Sequence, residues 1–150
     1  MSLNVAAKLL PLVFFLTSAV LPISVLAADA DFSGRWFIDL RSKEERKAKV
    51  ECGSAEFYLV QKGKKITGQH TFATPQCGRM NDSEEETVKG EVIGSTAILT
   101  VTSGRNGAVV RGKAVLQKGA LHWQVLEEIK AGDVEGDSAL ILEKGILVRK

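Results

Sequence analysis

The sequence has 150 residues and a formal net charge of +2, from 20 Lys and Arg residues against 18 Asp and Glu residues. Both signs are interspersed along the chain, which excludes the concentrated basic surface typical of proteins that bind nucleic acid or anionic membranes. This length accommodates one domain with a single hydrophobic core.

Residues 1–27 have the pattern of a secretory signal peptide. A lysine precedes an apolar run, and small residues occupy the last and third-last positions, at Ala27 and Val25. Proline and polar residues interrupt the run, so it would anchor the chain poorly in a membrane. We therefore expect cleavage after Ala27 or one residue later, no membrane anchor after cleavage, and export of a single domain, residues 28–150, to the periplasm or the cell exterior.

The exported domain contains two cysteines, Cys52 and Cys77. An even number of cysteines in an oxidising compartment predicts a disulfide. The alternative, a metal-binding or redox pair, is disfavoured because no second cysteine lies near either one. Closing a loop of about 25 residues would stabilise the fold by roughly 3 kcal/mol in the chain-entropy model.

From Asp31 onward, apolar and polar residues alternate with period two, and turns centred on glycine recur about every 8 to 14 residues. This pattern predicts an all-β antiparallel meander. About eight sequential strands leave two exposed edges unless the sheet closes into a barrel, so we expect a small closed barrel. The predicted strands, after a first one over residues 32–41, are residues 55–62, 65–74, 86–93, 96–102, 108–117, 120–128, 138–143 and 146–149.

Glycine marks the predicted turns. Residues 60–63, 116–119 and 142–145 share one local signature, a Lys-Gly pair after an apolar strand end, and we interpret all three as hairpin turns. The Asn-Gly pair at residues 106–107 favours a hairpin with positive φ values. The one helix candidate is the charged segment 42–50, and the alternative for it is a loop packed over a barrel end.

The alternation also predicts which side chains face inward. Trp36, His70, Phe72 and Trp123 each lie on the apolar face of a strand, whereas His122 lies on the opposite face of its strand. An inward His70 could bind a ligand or be a core histidine with a neighbouring hydrogen-bond partner. Strand 55–62 is apolar on both faces, so its inward set is not assigned. An eight-stranded barrel either fills with side chains or holds one small ligand, and both alternatives stay open.

Gly34 and Trp36 form a Gly-x-Trp element on the first strand. Followed by an antiparallel meander after a signal peptide, this element resembles the lipocalin and avidin group of β-barrels. The resemblance implies that the tryptophan closes one barrel end and that a ligand cavity opens at the other. It therefore implies a small apolar ligand in the barrel interior, around Trp36, His70, Phe72 and Trp123.

The chain also resembles the small periplasmic inhibitors of serralysin-type metalloproteases. An early Gly-x-Trp, the cysteines Cys52 and Cys77 and the chain end at residues 146–150 occur in a similar order. In that family the short segment before the first strand enters the protease active site. The resemblance implies that role for residues 28–31 of this chain.

No motif predicts catalysis. Residues 107–113 have the spacing of a phosphate-binding loop, but Ala114 stands where a Ser or Thr would bind magnesium. Residues 136–140 resemble the start of a serine esterase block, but no histidine follows Ser138. A metal site needs three or four convergent ligands, and no such spacing occurs. We expect no enzymatic activity, no metal and no cofactor.

Two functions from different classes follow as hypotheses. The first is a binding protein for a small apolar molecule, held in the barrel interior. The second is a protein-binding inhibitor or envelope interaction protein, which would bind an envelope or extracellular protein through its N-terminal segment or its loops.

Overall fold

The computed structural model describes residues 30–133 and 135–150, so the predicted signal peptide lies outside the described residues. The described chain forms nine strands and one helix. In chain order they are β1 Gly34–Asp39, α1 Lys43–Lys47, β2 Cys52–Lys62, β3 Lys65–Pro75, β4 Met80–Asn81, β5 Val88–Ile93, β6 Thr96–Thr102, β7 Val109–Gln117, β8 Ala120–Lys130 and β9 Lys144–Arg149.

Eight strands close into an antiparallel barrel, in the order β1, β2, β3, β5, β6, β7, β8 and β9, and β9 returns to β1. The short strand β4 adds to β3 as an extra strand. The seam between β1 and β9 has two residue pairs, Trp36 with Arg149 and Phe37 with Val148. The all-β barrel predicted from the sequence is confirmed, and its form is consistent with a lipocalin-like barrel.

Alternating residues build the barrel wall, because successive side chains of a strand point to opposite faces. In β6, Ala97, Leu99 and Val101 are fully buried, and the threonines between and beside them are only partly buried. In β2, which the sequence left unassigned, Phe57 is fully buried and the neighbouring Tyr58 is 56% exposed. The interior of the barrel is therefore the hydrophobic core.

Two-residue turns connect the strands at one end of the barrel, which we call the closed end. Lys118 and Gly119, between β7 and β8, both have positive φ, 52° and 79°, as a type I′ hairpin turn requires. Trp36 lies toward this end, and its Nε1 donates to the backbone carbonyl of Phe32 at 2.9 Å. Both side chains are fully buried, so this end is sealed by side chains.

Longer connections lie at the opposite end, which we call the mouth. The predicted helix is present there as α1, and it begins at a capping box in which Ser42 and Glu45 exchange side-chain and backbone hydrogen bonds. Cys52 at the start of β2 is bonded to Cys77, which confirms the predicted disulfide. This bond is consistent with an oxidising, exported environment.

The predicted strand over residues 138–143 is wrong. These residues have no strand conformation, and β9 begins only at Lys144. Leu140 has a φ of 48°, in the left-handed region, which interrupts an extended chain. The apolar run at residues 139–142 is compatible with a strand. The backbone of residues 138–143 nevertheless bonds mostly to side chains of the barrel instead of to a neighbouring strand.

One predicted turn is wrong, and the predicted hairpin at residues 106–107 joins β6 to β7 as expected but differs in its φ values. Gly145 lies within β9, opposite Trp123, and a Cβ there would approach Cδ1 of Ile38 to 2.8 Å. The absence of a side chain at Gly145 lets Ile38 pack closely against β9. Residues 142–145 therefore do not form a hairpin turn. In the Asn-Gly pair, Gly107 has a positive φ but Asn106 does not. The Asn106 side chain is instead buried and accepts a hydrogen bond from the backbone of Ala108.

Candidate functional site

The mouth of the barrel is covered by residues 138–143, which we call the plug segment. Leu140 and Leu142 from this segment are 5% and 4% exposed, and Leu142 packs against the barrel core. A segment of irregular backbone inside a barrel needs hydrogen-bond partners, because unpaired buried peptide groups are costly. The barrel wall supplies them from side chains.

On one side of the mouth, polar side chains bind two carbonyls of the plug segment. Nδ2 of Asn81, in β4, donates to the carbonyl of Leu140 at 3.1 Å. Oγ of Ser103, which directly follows β6, donates to the carbonyl of Ala139 at 2.7 Å. Asn81 and Ser103 are themselves buried, so these contacts hold the plug segment at a fixed depth.

Leu142 is held by two of the residues that the sequence analysis selected. Its carbonyl accepts a hydrogen bond from Nε1 of Trp123 at 2.6 Å, and its N–H donates to Nε2 of His70 at 3.3 Å. Because Nε2 of His70 accepts, the proton of the neutral imidazole lies on Nδ1. His70 and Trp123 therefore bind the two backbone polar groups of one residue, Leu142.

Burial decides the charge of His70. The side chain is 1% exposed, and burial lowers its pKa to about 3, because an apolar environment disfavours the charged imidazolium. The imidazole is neutral near pH 7. Its Nδ1 has no hydrogen-bond partner in the described part of the chain, so one buried donor of His70 is unsatisfied.

Asn81 carries the complementary unsatisfied atom. Its Oδ1 is buried and has no partner among the described residues. Asn81 pairs with Phe72 across β3 and β4, and His70 lies two residues from Phe72 on the same face of β3. A free donor and a free acceptor thus lie as diagonal neighbours on one wall of the barrel. Each unsatisfied buried polar group costs about 1–3 kcal/mol, and such groups call for an explanation.

Phe57 is the centre of the aromatic core and was missed from the sequence. It is the cross-strand neighbour of Trp36 on β1 and of His70 on β3. Its ring lies 4.7 Å from the His70 ring and 5.0 Å from the Trp123 ring. The sequence did not identify Phe57 as a core residue, because its strand is apolar on both faces. The alternation of Ala55, Phe57 and Leu59 was a usable signal for the inward face. Asn81, which follows the disulfide loop, had no such signal.

The structure places the four predicted ligand-binding residues in different settings. His70 and Trp123 touch the plug segment, and Trp36 seals the closed end with its indole N–H bonded to Phe32. Phe72 is only half-buried and lines a cleft of about 480 Å³ beside Leu142. The other residues of this cleft are Leu40, Gln124, Val125, Glu143 and Lys144.

The interior is occupied by the protein's own side chains. Trp36, Phe57, His70 and Trp123 are each 2% exposed or less. The space above these residues is filled by the plug segment, whose Leu142 packs against the core.

Among residues 30–133 and 135–150, no group of three or more His, Cys, Asp and Glu side chains is placed to hold a metal ion. In the same part of the chain, no helix has the length and apolarity needed to cross a membrane. The sequence matches no known protein family, and comparison with curated proteins and with solved structures also gives no match.

Proposed function

We propose that this protein is a non-enzymatic exported binding module that takes a small apolar ligand at the mouth of its barrel. The observation that carries the proposal is the pair of buried, unsatisfied polar atoms, Nδ1 of His70 and Oδ1 of Asn81. They lie among aromatic side chains, beneath a segment that is not part of the barrel wall. A ligand with an acceptor for the His70 N–H and a donor for the Asn81 oxygen would satisfy them.

The site offers mainly apolar contact. Phe57, Phe72 and Trp123 present aromatic surface, and burying apolar area is worth about 25 cal/mol per Å². Burial lowers the pKa of the His70 imidazole to about 3, which is far below the near-neutral value that suits a general base. These features support binding and not catalysis.

The fold supports the same proposal. A closed antiparallel barrel with Trp36 sealing one end has the form that the lipocalin resemblance implies, with the opposite end left for a ligand. The disulfide near that opposite end fits a protein that works in the periplasm or outside the cell.

Fluorescence titration tests the proposal. The probe is N-phenyl-1-naphthylamine, an apolar fluorophore, added to the mature protein while emission from the tryptophans and from the probe is followed. We expect saturable binding with quenching of tryptophan emission. Phe72→Ala should weaken binding about tenfold, because the half-buried ring lines the cleft beside Leu142, and Tyr58→Ala, on the outer face of β2, should leave it unchanged. Absence of saturable binding contradicts the proposal.

A second candidate is a protein-binding inhibitor or envelope interaction protein. Ile146 and Val148, on the outer face of β9, are 58% and 55% exposed, and exposed apolar residues side by side are typical of interaction surfaces. The N-terminal segment is also held against β9, because the Arg149 guanidinium donates to the carbonyl of Asp31 at 3.2 Å. Residues 28 and 29 lie outside the described residues.

The inhibitor candidate predicts inhibition of a serralysin-type metalloprotease by the mature protein. Removal of residues 28–31 should abolish inhibition while the barrel stays folded, as judged by its far-UV circular dichroism. If the trimmed and complete proteins inhibit equally, the N-terminal segment is not the binding element. If neither inhibits, this candidate is wrong for that class of protease.

A further inference from the structure

The second half of β8 has a free edge. β9 pairs with β8 from Ala120 to Gln124, and one further bond joins the Val125 N–H to the carbonyl of Glu143. Beyond this point, Glu127, Glu128 and Lys130 pair only with β7 in the described part of the chain, and Leu126 and Ile129 lie at irregularities of that pairing. Unpaired strand edges attract extended chain, and proteins normally cover them.

The plug segment matches this edge in register. Continuing the pairing of Gln124 with Lys144 along the two strands would place Leu126 opposite Leu142 and Glu128 opposite Leu140. The apolar run at residues 139–142 is compatible with a strand, as the sequence analysis predicted. The segment therefore has two possible positions, the mouth of the barrel or the edge of β8.

The position in the mouth carries local costs. Leu140 has a φ of 48°, which is unfavourable for a residue with a side chain. The backbone of the plug segment lacks the regular hydrogen bonds of a paired strand. In addition, two buried polar atoms, one on His70 and one on Asn81, have no partner among the described residues. What favours the mouth is the burial of Leu140 and Leu142 together with their side-chain hydrogen bonds. A ligand that supplied equivalent contacts would remove that advantage.

The contacts of the plug segment define the ligand chemistry. Asn81 and Trp123 donate to two peptide carbonyls, and His70 accepts from a peptide N–H. Between these groups lie the two leucine side chains. The mouth thus binds an apolar chain through its amide groups, with the protein's own segment as the occupant.

We propose that the plug segment is exchangeable. It leaves the mouth, pairs with residues 126–130 as an extension of β9, and is replaced by an apolar molecule that carries an amide or peptide group. This inference rests on the proposed function, because it assigns the ligand class and the gating of the same site.

Two double-cysteine variants that share Leu140→Cys trap the two positions. The variant with Glu128→Cys and Leu140→Cys can form a disulfide only when the segment lies on the β8 edge. In the mouth position, Leu140 is bonded to Asn81 of β4, which lies on the far side of the barrel from β8. Asn81→Cys with Leu140→Cys traps the mouth position. Peptide mapping by mass spectrometry distinguishes each new bond from the native Cys52–Cys77 bond.

The ligand probe is N-octanoyl-leucinamide, measured by its displacement of N-phenyl-1-naphthylamine. In the variant with Glu128→Cys and Leu140→Cys, we expect the new disulfide to form, and to form faster when the probe is present. The crosslinked protein should bind the probe at least tenfold more tightly than the wild type does. The Asn81–Leu140 crosslink should abolish probe binding. In wild-type protein, the amides of residues 126–130 should exchange with deuterium more slowly when the probe is bound.

The outcomes separate the two proposals. If the Glu128–Leu140 crosslink never forms and the amides of residues 126–130 exchange equally with and without bound probe, the exchange onto β8 is wrong, even though ligand binding stands. If the edge-trapped protein binds neither N-octanoyl-leucinamide nor N-phenyl-1-naphthylamine, the proposed function itself is wrong. The amide exchange measurement needs no cysteine variant, so a variant that fails to fold does not leave the inference untested.

Discussion

The backbone N–H of Leu142 donates to Nε2 of His70 at 3.3 Å, across 72 residues of sequence. This contact joins the plug segment to β3 and requires a neutral imidazole, because a protonated Nε2 cannot accept a hydrogen bond.

Acid should therefore destabilise the protein through His70. Burial lowers the folded-state pKa of His70 from 6.5 to about 3, so the unfolded chain binds the proton more readily. The stabilisation is complete above pH 6.5 and is lost as the pH falls toward 3, by about 1.4 kcal/mol per pH unit. Urea unfolding at a series of pH values measures this slope.

His70→Gln is the matched control for the pH effect. Glutamine retains an acceptor for the Leu142 N–H but does not titrate, so the variant should show a shallower loss of stability between pH 6.5 and 3. Equal slopes for the variant and the wild type would mean that carboxylates alone produce the acid sensitivity.

The two tryptophans should have separable roles. Trp123→Phe removes the donor to the Leu142 carbonyl, and Trp36→Phe removes the donor to the Phe32 carbonyl. Each variant leaves a buried carbonyl unpaired and should lose about 1–3 kcal/mol of stability. Only Trp123→Phe should speed hydrogen exchange of the Leu142 amide relative to global unfolding. Faster exchange of that amide in both variants would contradict the assignment of Trp123 to the plug segment.

Gly68 should not tolerate a side chain. A Cβ there would lie 2.0 Å from the backbone oxygen of Tyr58 on β2, and backbone cannot move aside as a flexible side chain can. Gly68→Ala should cost about 2 kcal/mol or more in the free energy of unfolding. The control is Gly78→Ala, whose Cβ would have its nearest neighbour at 3.7 Å. We expect that change to stay within about 0.5 kcal/mol, and similar effects at the two glycines would show that the close approach is relieved by the strands.

Loss of the disulfide should destabilise the barrel without preventing binding. The Cys52–Cys77 bond spans 25 residues, and its removal in a Cys52→Ala and Cys77→Ala double variant should cost about 2–4 kcal/mol. Denaturant unfolding of the variant and of the reduced wild type should give similar midpoints, both below that of the oxidised protein. An unchanged midpoint in the variant would show that the bond contributes no stability.

Local sequence signals determined much of this protein. Period-two alternation identified the strands of the barrel wall, and the Lys-Gly pair at residues 118–119 identified a hairpin turn, because both features depend on neighbouring residues alone. The pairing of Cys52 with Cys77 followed from their number and the expected compartment. The sequence also predicted inward positions for Trp36, His70 and Trp123, and all three are buried.

Only the tertiary structure decided where residues 138–143 lie. Their apolar run suits a strand on the β8 edge as well as a segment in the mouth, since a local pattern does not specify its partner. The barrel interior needs apolar volume at the mouth, which Leu140 and Leu142 fill, and the hydrogen-bond partners come from residues as distant in sequence as His70 and Asn81. The orientation of Phe57 was open for the same reason. When a strand is apolar on both faces, only the closure of the sheet determines which face points into the barrel.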